Sequence, residues 1–324
     1  MRQAGVLDVG CHSALLMVVR PSRVNSGLET VMSRKVRLAL HRMLTSDGRV
    51  SERGVRSVQG AVSEAMGARE DSRQEVFAFA TSVIRDAPNR DEVIARVARA
   101  TGTHLQVMSG QEEARLAYVA ARRWAKHATG PLLVLDVGGG TVEIAFGTGD
   151  QPHIVHSLPL GARRITREWL PDGVCSSKRH LQEVRQHLRR VLSDLPGLPR
   201  VQRGEHVLAC SKTFTQLARL AVAVRGKPAR TRRHLVLPGL RASLALLAGT
   251  DTADRGDLPG ISDHRAEQSL AGALVAEALM EACGATRAEI CPWSTREGLL
   301  LEHLGVTSGG RGRSLPPRPY QRHR

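Results

Sequence analysis

One motif that occurs twice constrains the fold of this chain more than any other feature. Residues 6–19 read VLDVGCHSALLMVV, and residues 132–146 read LLVLDVGGGTVEIAF. In each copy an apolar run ends in Asp-Val-Gly, passes through small or polar residues and resumes as a second apolar run, which predicts a β-hairpin. One copy in each half of the chain predicts a duplicated α/β fold.

The turns of the two predicted hairpins carry the first hint of chemistry. Three consecutive glycines, Gly138, Gly139 and Gly140, follow Asp136, although glycine weakens a strand and has no side chain to pack. Backbone N–H groups in such a turn can bind an anion, and the carboxylate beside them can hold a cation. The alternative is an ordinary glycine hairpin turn without a ligand. This alternative carries more weight for the first copy, at Asp8, than for the three consecutive glycines of the second copy.

The remaining pattern alternates strands and helices. A length of 324 residues suits two domains, which we place at residues 1–128 and 129–306 with a cleft between them, followed by a disordered basic tail at 307–324. Two S-x-x-E sequences, starting at Ser109 and Ser294, predict capped helix starts, with Glu112 as the capping acid of the first. Helices are predicted over 51–68, 91–100, from 110, 162–170, 177–192, 213–222, 240–248, 265–282 and from 294, and strands over 75–80, 104–108, 154–157, 206–209 and 289–291.

Composition narrows the class of partner. The formal charge of +16 attracts polyanions, which means nucleic acid, a membrane surface or a phosphate-rich small substrate. An aromatic content of 3% argues against a protein that stacks single-stranded nucleic acid. Arginine-rich composition also follows from genomic base bias, so charge alone identifies no partner. No apolar run approaches the roughly 20 residues of a membrane span, and the N-terminus passes directly into a strand, so we expect a cytoplasmic protein with no membrane partner.

The cysteines give no sign of a metal site or a disulfide framework. The five cysteines form no CxxC pair and have no zinc-ligand spacing with the thirteen histidines. Reduced thiols are therefore expected.

Five ordered segments resemble one known family. They are FATSVIRDAPNRDEVI (79–94), MSGQEEARLAYV (108–119), LDVGGGTVEIAFG (135–147), SLPLGARRIT (157–166) and STREGLLL (294–301). The chain resembles the exopolyphosphatase and guanosine pentaphosphate phosphatase family, most of all its short actinobacterial branch. The resemblance implies a duplicated actin-like (ribonuclease H-like) fold without the C-terminal helical phosphohydrolase domain of longer members. It also implies a homodimeric, metal-dependent exopolyphosphatase that releases orthophosphate from inorganic polyphosphate.

The same resemblance implies roles for particular residues. Glu113 matches the family's general base, which orients and deprotonates the attacking water, and Mg²⁺ is the implied cofactor. The implied Mg²⁺ ligands are Asp136, Glu143 and Asp8. The implied phosphate-binding residues are Gly10, Cys11, His12, Ser13, Arg85, Gly138, Gly139, Gly140, Thr141 and Lys212. A basic cluster at Lys227, Arg230, Arg232 and Arg233 either extends the anion track or forms a solvated loop.

One departure from the family pattern stands in the first turn. The family commonly reads Asp-x-Gly-Ser-Asn-Ser/Thr, whereas this chain reads Asp8-Val9-Gly10-Cys11-His12-Ser13. Cysteine is a weaker donor than serine, and histidine adds a bulky titratable ring. The change is consistent with assisted binding, altered specificity or reduced activity.

Three other functions remain open at this stage. A guanosine pentaphosphate phosphohydrolase would need a base pocket, for which the rings are Tyr118, Trp169, Phe214 and Trp293. A kinase of the same fold would transfer phosphate to a hydroxyl rather than to water. A catalytically weakened polyphosphate or nucleotide sensor is the non-enzymatic alternative, and it is motivated by Cys11 and His12.

Overall fold

The computed structural model describes residues 3–22, 27–68, 75–126, 128–226 and 233–305. The strands are β1 Ala4–Val9, β2 Ser13–Pro21, β3 Leu28–Arg37, β4 Val76–Ala80, β5 Gln106–Val107, β6 Leu132–Val137, β7 Val142–Gly147, β8 Ile154–Leu158, β9 His206–Cys210, β10 His234–Val236 and β11 Arg287–Ile290. The helices are α1 Glu52–Gly67, α2 Ser82–Arg85, α3 Arg90–Thr101, α4 Gly110–Trp124, α5 Ala162–Trp169, α6 Lys178–Ser193, α7 Ser211–Val224, α8 Leu237–Gly249, α9 Ser269–Ala282 and α10 Thr295–His303.

The strands form two sheets with the same plan. The first has the order β3-β2-β1-β4-β5, and the second has the order β10-β11-β9-β6-β7-β8. In the first sheet β1 pairs antiparallel with β2 and parallel with β4, and in the second β6 pairs antiparallel with β7 and parallel with β9. The two predicted hairpins are therefore equivalent central units, and the duplicated α/β fold is confirmed.

Two helices join the halves by packing across them. Helix α4, from the first half of the chain, places Ala114, Ala117 and Tyr118 in one apolar cluster with strands of the second sheet. Helix α10, near the end of the described chain, places Leu299 and Leu300 against the first sheet. A Cβ at Gly298 of α10 would lie 2.1 Å from the carbonyl oxygen of Leu116, so the two helices touch where glycine allows it. The two sheets are thereby held in a fixed relation around the gap between the hairpin turns.

Strands β3 and β10 and the four-residue helix α2 were not predicted from the sequence, and several element boundaries differ by a few residues. Strand β3 was not predicted because it is a mostly exposed edge strand without an apolar face, and β10 was missed because it has three residues. Helix α9 begins at Ser269, since a short 3₁₀ turn, Asp263–Arg265, interrupts the predicted 265–282 helix.

Some sequence features lie outside what can be described. The predicted tail, 307–324, and the basic residues Lys227, Arg230 and Arg232 fall outside the described residues. Among the described helices, none has the length and apolar character needed to cross a membrane.

Candidate active site

The two hairpin turns have the same internal geometry. The Gly10 amide donates to the Ser13 carbonyl at 2.9 Å, and the Gly138 amide donates to the Thr141 carbonyl at 2.9 Å. This corrects the prediction that all three glycine amides of 138–140 are available to phosphate, because the Gly138 N–H is already used to close its turn. Within the described chain, the Gly139 and Gly140 amides have no backbone acceptor.

Gly161 explains how the turn formed by Gly138, Gly139 and Gly140, here called the GGG turn, is held in place. Gly161, which precedes α5, packs directly on the turn, and its amide donates to the Gly140 carbonyl at 3.1 Å. The amides of the first residues of α5 donate to the Gly138 and Gly139 carbonyls at 2.9–3.1 Å. A Cβ on Gly161 would lie 2.4–2.5 Å from backbone atoms of Gly139 and Gly140, which no side chain rotation would relieve. The turn is thus fixed by helix α5 from behind.

The three turn glycines have different surroundings. A Cβ on Gly138 would lie 3.0 Å from the carbonyl oxygen of Thr141. A Cβ on Gly140 would lie 2.5 Å from Oγ of Ser82, so the two halves of the chain touch at this point. A Cβ on Gly139 would meet the Arg163 guanidinium at 3.4 Å and no backbone atom within that distance. Close packing therefore accounts for Gly140, and only Gly139 remains free for the close approach of a ligand.

Four carboxylates converge on the gap between the turns. Asp136 and Glu143 are directly opposite one another on the paired strands β6 and β7. Asp8 occupies in β1 the position that Asp136 occupies in β6, two residues before the turn. Glu113 lies in the first turn of α4, and its charge interacts with both aspartates. The structure thus brings the predicted base and the predicted Mg²⁺ ligands to one place.

Burial raises the pKa values of all four acids. Burial, together with repulsion from Asp8 and Asp136, raises the pKa of Glu113 to about 7 although Arg85 opposes the shift. Burial raises the pKa of Asp136 to about 6. Burial and the charges of Glu113 and Asp136 raise the pKa of Glu143 well above its usual value, and burial also raises the pKa of Asp8. Without a cation, part of this cluster is protonated at neutral pH.

Each carboxylate has at least one polar side-chain partner. Arg85 Nη1 donates to Glu113 at 2.5 Å, and Arg85 also reaches the carbonyl of Met108 at 3.3 Å. Arg296 Nη1 donates to Asp8 at 3.2 Å. Ser294 Oγ donates to Asp136 at 2.6 Å, and Ser157 Oγ donates to Glu143 at 3.1 Å.

Ser157, Ser294 and Arg296 lie in segments that resemble the family, but the sequence does not indicate their contacts with these carboxylates. Ser294 and Arg296 lie far along the chain from the acids that they contact, and nothing in local sequence predicts these pairings. Ser211, the first residue of α7, is a further such residue. It has φ +80°, a strained conformation for serine, and its side chain helps to hold Asp136 ionised.

The donor set suits a hard divalent cation. The oxygens of Asp8, Asp136 and Glu143 do not all lie within 4.8 Å of one another, so the three do not form a closed cage within the described chain. Mg²⁺ is typically held by one or two carboxylates, with waters and substrate phosphates completing six oxygen ligands. The facing pair Asp136 and Glu143, both acids whose repulsion a cation would relieve, meets this requirement.

The mouth of the gap is lined by cations. Lys212 is the second residue of α7 and is exposed. Burial, followed by repulsion from Lys212 and Arg265, lowers the pKa of Lys35, so these three cations from both halves lie near one another. Lys35 and Arg265 were not predicted as site residues, because β3 was not recognised and Arg265 was assigned only as the first residue of a helix. A chain of phosphates leaving the carboxylates would meet them.

Cys11 and His12 meet a third residue that the sequence did not connect with them. Cys11 Sγ lies 3.4 Å from His41 Nδ1, and the rings of His12 and His41 are 4.9 Å apart between centroids. Burial and nearby positive charges lower the pKa of His12 to about 3 and that of His41 to about 4, so both rings are neutral at pH 7. Of the possibilities that the sequence left open for His12, assisted binding by a charged ring is therefore not favoured at neutral pH. All five cysteines are free thiols, as expected.

A surface pocket of about 590 Å³ lies elsewhere, beside the starts of β9 and β10, and none of the predicted site residues lines it. The predicted site residues lie instead around the gap between the turns.

Comparison with known proteins decides the family. The sequence profile of the Ppx/GppA phosphatase family matches residues 18–306. The chain belongs to this family. Exopolyphosphatase 1 of Mycobacterium bovis is 41% identical over 311 residues, which cover 94% of this chain and 89% of that protein. The guanosine-5'-triphosphate,3'-diphosphate pyrophosphatase of Aeromonas hydrophila is 27% identical over 305 residues, covering 92% of this chain and 59% of that protein.

Solved structures support the fold of this Ppx/GppA family member. The crystal structure of the Aquifex aeolicus Ppx/GppA family member matches with a TM-score of 0.79 at 23% identity, covering 95% of this chain and 99% of that chain. An exopolyphosphatase from Cytophaga hutchinsonii matches with a TM-score of 0.77 at 21% identity, covering 95% of this chain and 100% of that chain. The expected actin-like fold is confirmed.

Proposed function

We propose that this protein is an exopolyphosphatase, which hydrolyses the terminal phosphoanhydride bond of inorganic polyphosphate and releases orthophosphate. One observation carries the proposal: Glu113 interacts across the gap with Asp8 and Asp136, the aspartates that precede two equivalent turns. Relatives that are 41% identical over most of the chain carry the name Exopolyphosphatase 1. Hydrolysis of an anhydride needs a base, a cation and anion donors, and the gap offers residues for each.

The residues divide the chemical step between them. Ionised Glu113 accepts a proton from a water, whose oxygen bonds to the terminal phosphorus as the bridging P–O bond breaks. The shortened chain leaves with the bridging oxygen. Arg85, whose guanidinium contacts Glu113 at 2.5 Å, is close enough to orient that carboxylate and to contact a phosphoryl oxygen. Mg²⁺, held by Asp136 and Glu143, would neutralise charge on the phosphate oxygens.

The two turns bind the phosphates in this proposal. The Gly139 and Gly140 amides and Thr141 receive the terminal group, and the first turn, Gly10 to Ser13, faces it from the other half. The cations at the mouth, Lys35, Lys212 and Arg265, hold the phosphates that follow. Electrostatic stabilisation by prearranged donors is the main source of rate enhancement expected for such a reaction.

The aromatic residues favour polyphosphate over a guanine nucleotide. Of the four rings considered for a base pocket, Tyr118 and Phe214 are fully buried within apolar clusters. Trp169 stacks on His187, with centroids 4.4 Å apart. None of these three rings is therefore a free platform for a base. Guanosine pentaphosphate stays as the competing substrate because the Aeromonas relative is named for such a nucleotide.

A substrate comparison tests the proposal. The purified protein is incubated with long-chain polyphosphate or guanosine pentaphosphate, in Mg²⁺ or in EDTA, and released orthophosphate is measured. We expect Mg²⁺-dependent release that is faster from polyphosphate. Faster release from the nucleotide would reassign the substrate, and absence of release from both would refute an enzymatic role.

We further propose, from the family resemblance, that the protein is a cytoplasmic homodimer of two-domain protomers divided near residue 128. Sedimentation equilibrium of the purified protein would test the assembly. A mass of twice 35.2 kDa is expected, and a monomer mass at micromolar concentration would contradict it.

A further inference from the structure

A cluster of soft metal ligands lies on the first hairpin turn. One donor atom each from Cys11, His12 and His41 lies within 4.8 Å of the other two, and it is the one group of three acidic, cysteine or histidine ligands so close within the described chain. Thiolate and imidazole donors select zinc-class ions rather than Mg²⁺. The cluster is separate from the carboxylates that would hold Mg²⁺.

The backbone places these ligands without a large rearrangement. The Leu38 amide donates to the His12 carbonyl at 2.8 Å, and the Leu40 amide donates to the Cys11 carbonyl at 2.9 Å. These two bonds fix the segment that carries His41 directly beside the turn. Cys11 Sγ and His41 Nδ1 are already 3.4 Å apart. Two such ligands on a tetrahedral zinc ion would be about 3.5 Å apart, given Zn–S of about 2.3 Å and Zn–N of about 2.0 Å.

Gln268, a buried residue from the second half of the chain, packs beside His12 of this cluster. Gln268 is 7% exposed, its amide nitrogen lies 3.4 Å from His12 Nε2, and its Oε1 has no hydrogen-bond partner. A half turn of the amide would present that oxygen to His12. A carbonyl that accepts from the second ring nitrogen of a metal-bound histidine is a common supporting contact in zinc sites.

We propose that Cys11, His12 and His41 form a binding site for a zinc-class divalent cation, with a fourth coordination position open. Binding replaces the Cys11 thiol proton, which is released to solvent. Both imidazoles bind in the neutral form. Arg163 and Arg265 face the cluster from the second half, and their charge makes the affinity weaker than that of a structural zinc site. Cys11 and His12 belong to the turn that is predicted to bind phosphate. Metal binding at this site and phosphate binding at the turn should therefore affect one another.

Cobalt(II) provides a test that does not depend on hydrolysis. The full-length protein, freed of metal and kept reduced, is titrated with Co²⁺, and the near-ultraviolet thiolate-to-cobalt absorption is recorded. Zn²⁺ affinity is then measured by competition with a chromophoric chelator. We expect one equivalent of Co²⁺, displaced by Zn²⁺ and undisturbed by excess Mg²⁺.

Two variants and a matched control decide the outcome. Cys11→Ser should abolish the absorption, and His41→Ala should weaken Zn²⁺ binding more than about 100-fold. Cys175→Ser, which removes a half-buried thiol outside the cluster, should bind as the parent does. Circular dichroism establishes that each variant is folded, and the second variant keeps the test valid if the first misfolds. Absence of stoichiometric binding by the parent, or parental binding by both cluster variants, would overturn the proposal, whatever the result with polyphosphate.

Discussion

Substitution of Gly161 by alanine tests how the GGG turn is held. The new methyl group would lie 2.4–2.5 Å from backbone atoms of Gly139 and Gly140, so the turn and helix α5 must separate by about 1 Å to reach ordinary contact. That movement strains the hydrogen bonds from Gly161 and the start of α5 to the turn carbonyls, at 2.9–3.1 Å. Each such bond contributes about 0.5–1.5 kcal/mol, and overpacking costs about 1–3 kcal/mol.

We therefore expect Gly161→Ala to lower the free energy of unfolding by about 2–5 kcal/mol, measured by urea denaturation in EDTA. A displacement of about 1 Å at a catalytic turn is also expected to lower phosphate release about 100-fold in the fraction that stays folded. Gly149→Ala is the matched control, since a Cβ there meets nothing within 4 Å. Parental stability and turnover in Gly161→Ala would refute the reasoning.

Three further predictions concern the carboxylates and the turn. In EDTA the folded state binds the Glu113 proton more tightly than the unfolded state, because its pKa is about 7 rather than 4.5; this contribution to stability is complete at low pH and is lost as pH rises. Between pH 4.5 and pH 8 the parent should lose roughly 3 kcal/mol of unfolding free energy that Glu113→Gln does not lose, as measured by denaturant titration. Identical pH profiles for the two proteins would contradict the buried environment assigned to Glu113. Arg296→Met should destabilise the protein by about 2–3 kcal/mol at pH 8 and by less as the pH falls, since burial raises the pKa of Asp8 and a protonated Asp8 has no charge for Arg296 to pair with. Arg179→Met, at a side chain that is 89% exposed, should change stability by less than about 0.5 kcal/mol, and equal losses in the two variants would argue against the Asp8 pair. Gly139→Ala should lower stability by less than about 1 kcal/mol but reduce phosphate release by about 10²–10³-fold, whereas undiminished release would place the phosphate elsewhere.

The central units of the fold could be predicted from the sequence because their signals are local. Each hairpin shows its apolar runs and its Asp-Val-Gly turn within fifteen or fewer residues, and the capped start of α4 shows a serine at the right spacing. The prediction that the Glu112 carboxylate caps this helix was wrong. The backbone amide of Glu112 donates to Ser109 Oγ, and its carboxylate accepts from Arg115. Arg115 binds the carboxylate that the capping motif assigns to the start of the helix, and the S-x-x-E motif does not include Arg115.

The contacts of the site could not be predicted, because they join distant segments. Arg296 reaches Asp8 only because α10 packs on the first sheet, and His41 reaches Cys11 only because two backbone hydrogen bonds hold its segment there. The glycine run shows the limit most clearly. Its sequence indicates that the backbone must be bare, but only the structure distinguishes Gly140, which Ser82 approaches, from Gly139, which is left open.

Glu113 is the base that activates water in the proposed reaction, and a paired measurement on Glu113→Gln tests this role most directly. Binding of labelled polyphosphate in Mg²⁺ and release of orthophosphate are measured on the same preparations of the parent and the variant. We predict an affinity within about threefold of the parent and a turnover lowered by about 10²–10⁴-fold, the range expected for loss of a general base. Parental turnover in the variant would contradict the central claim.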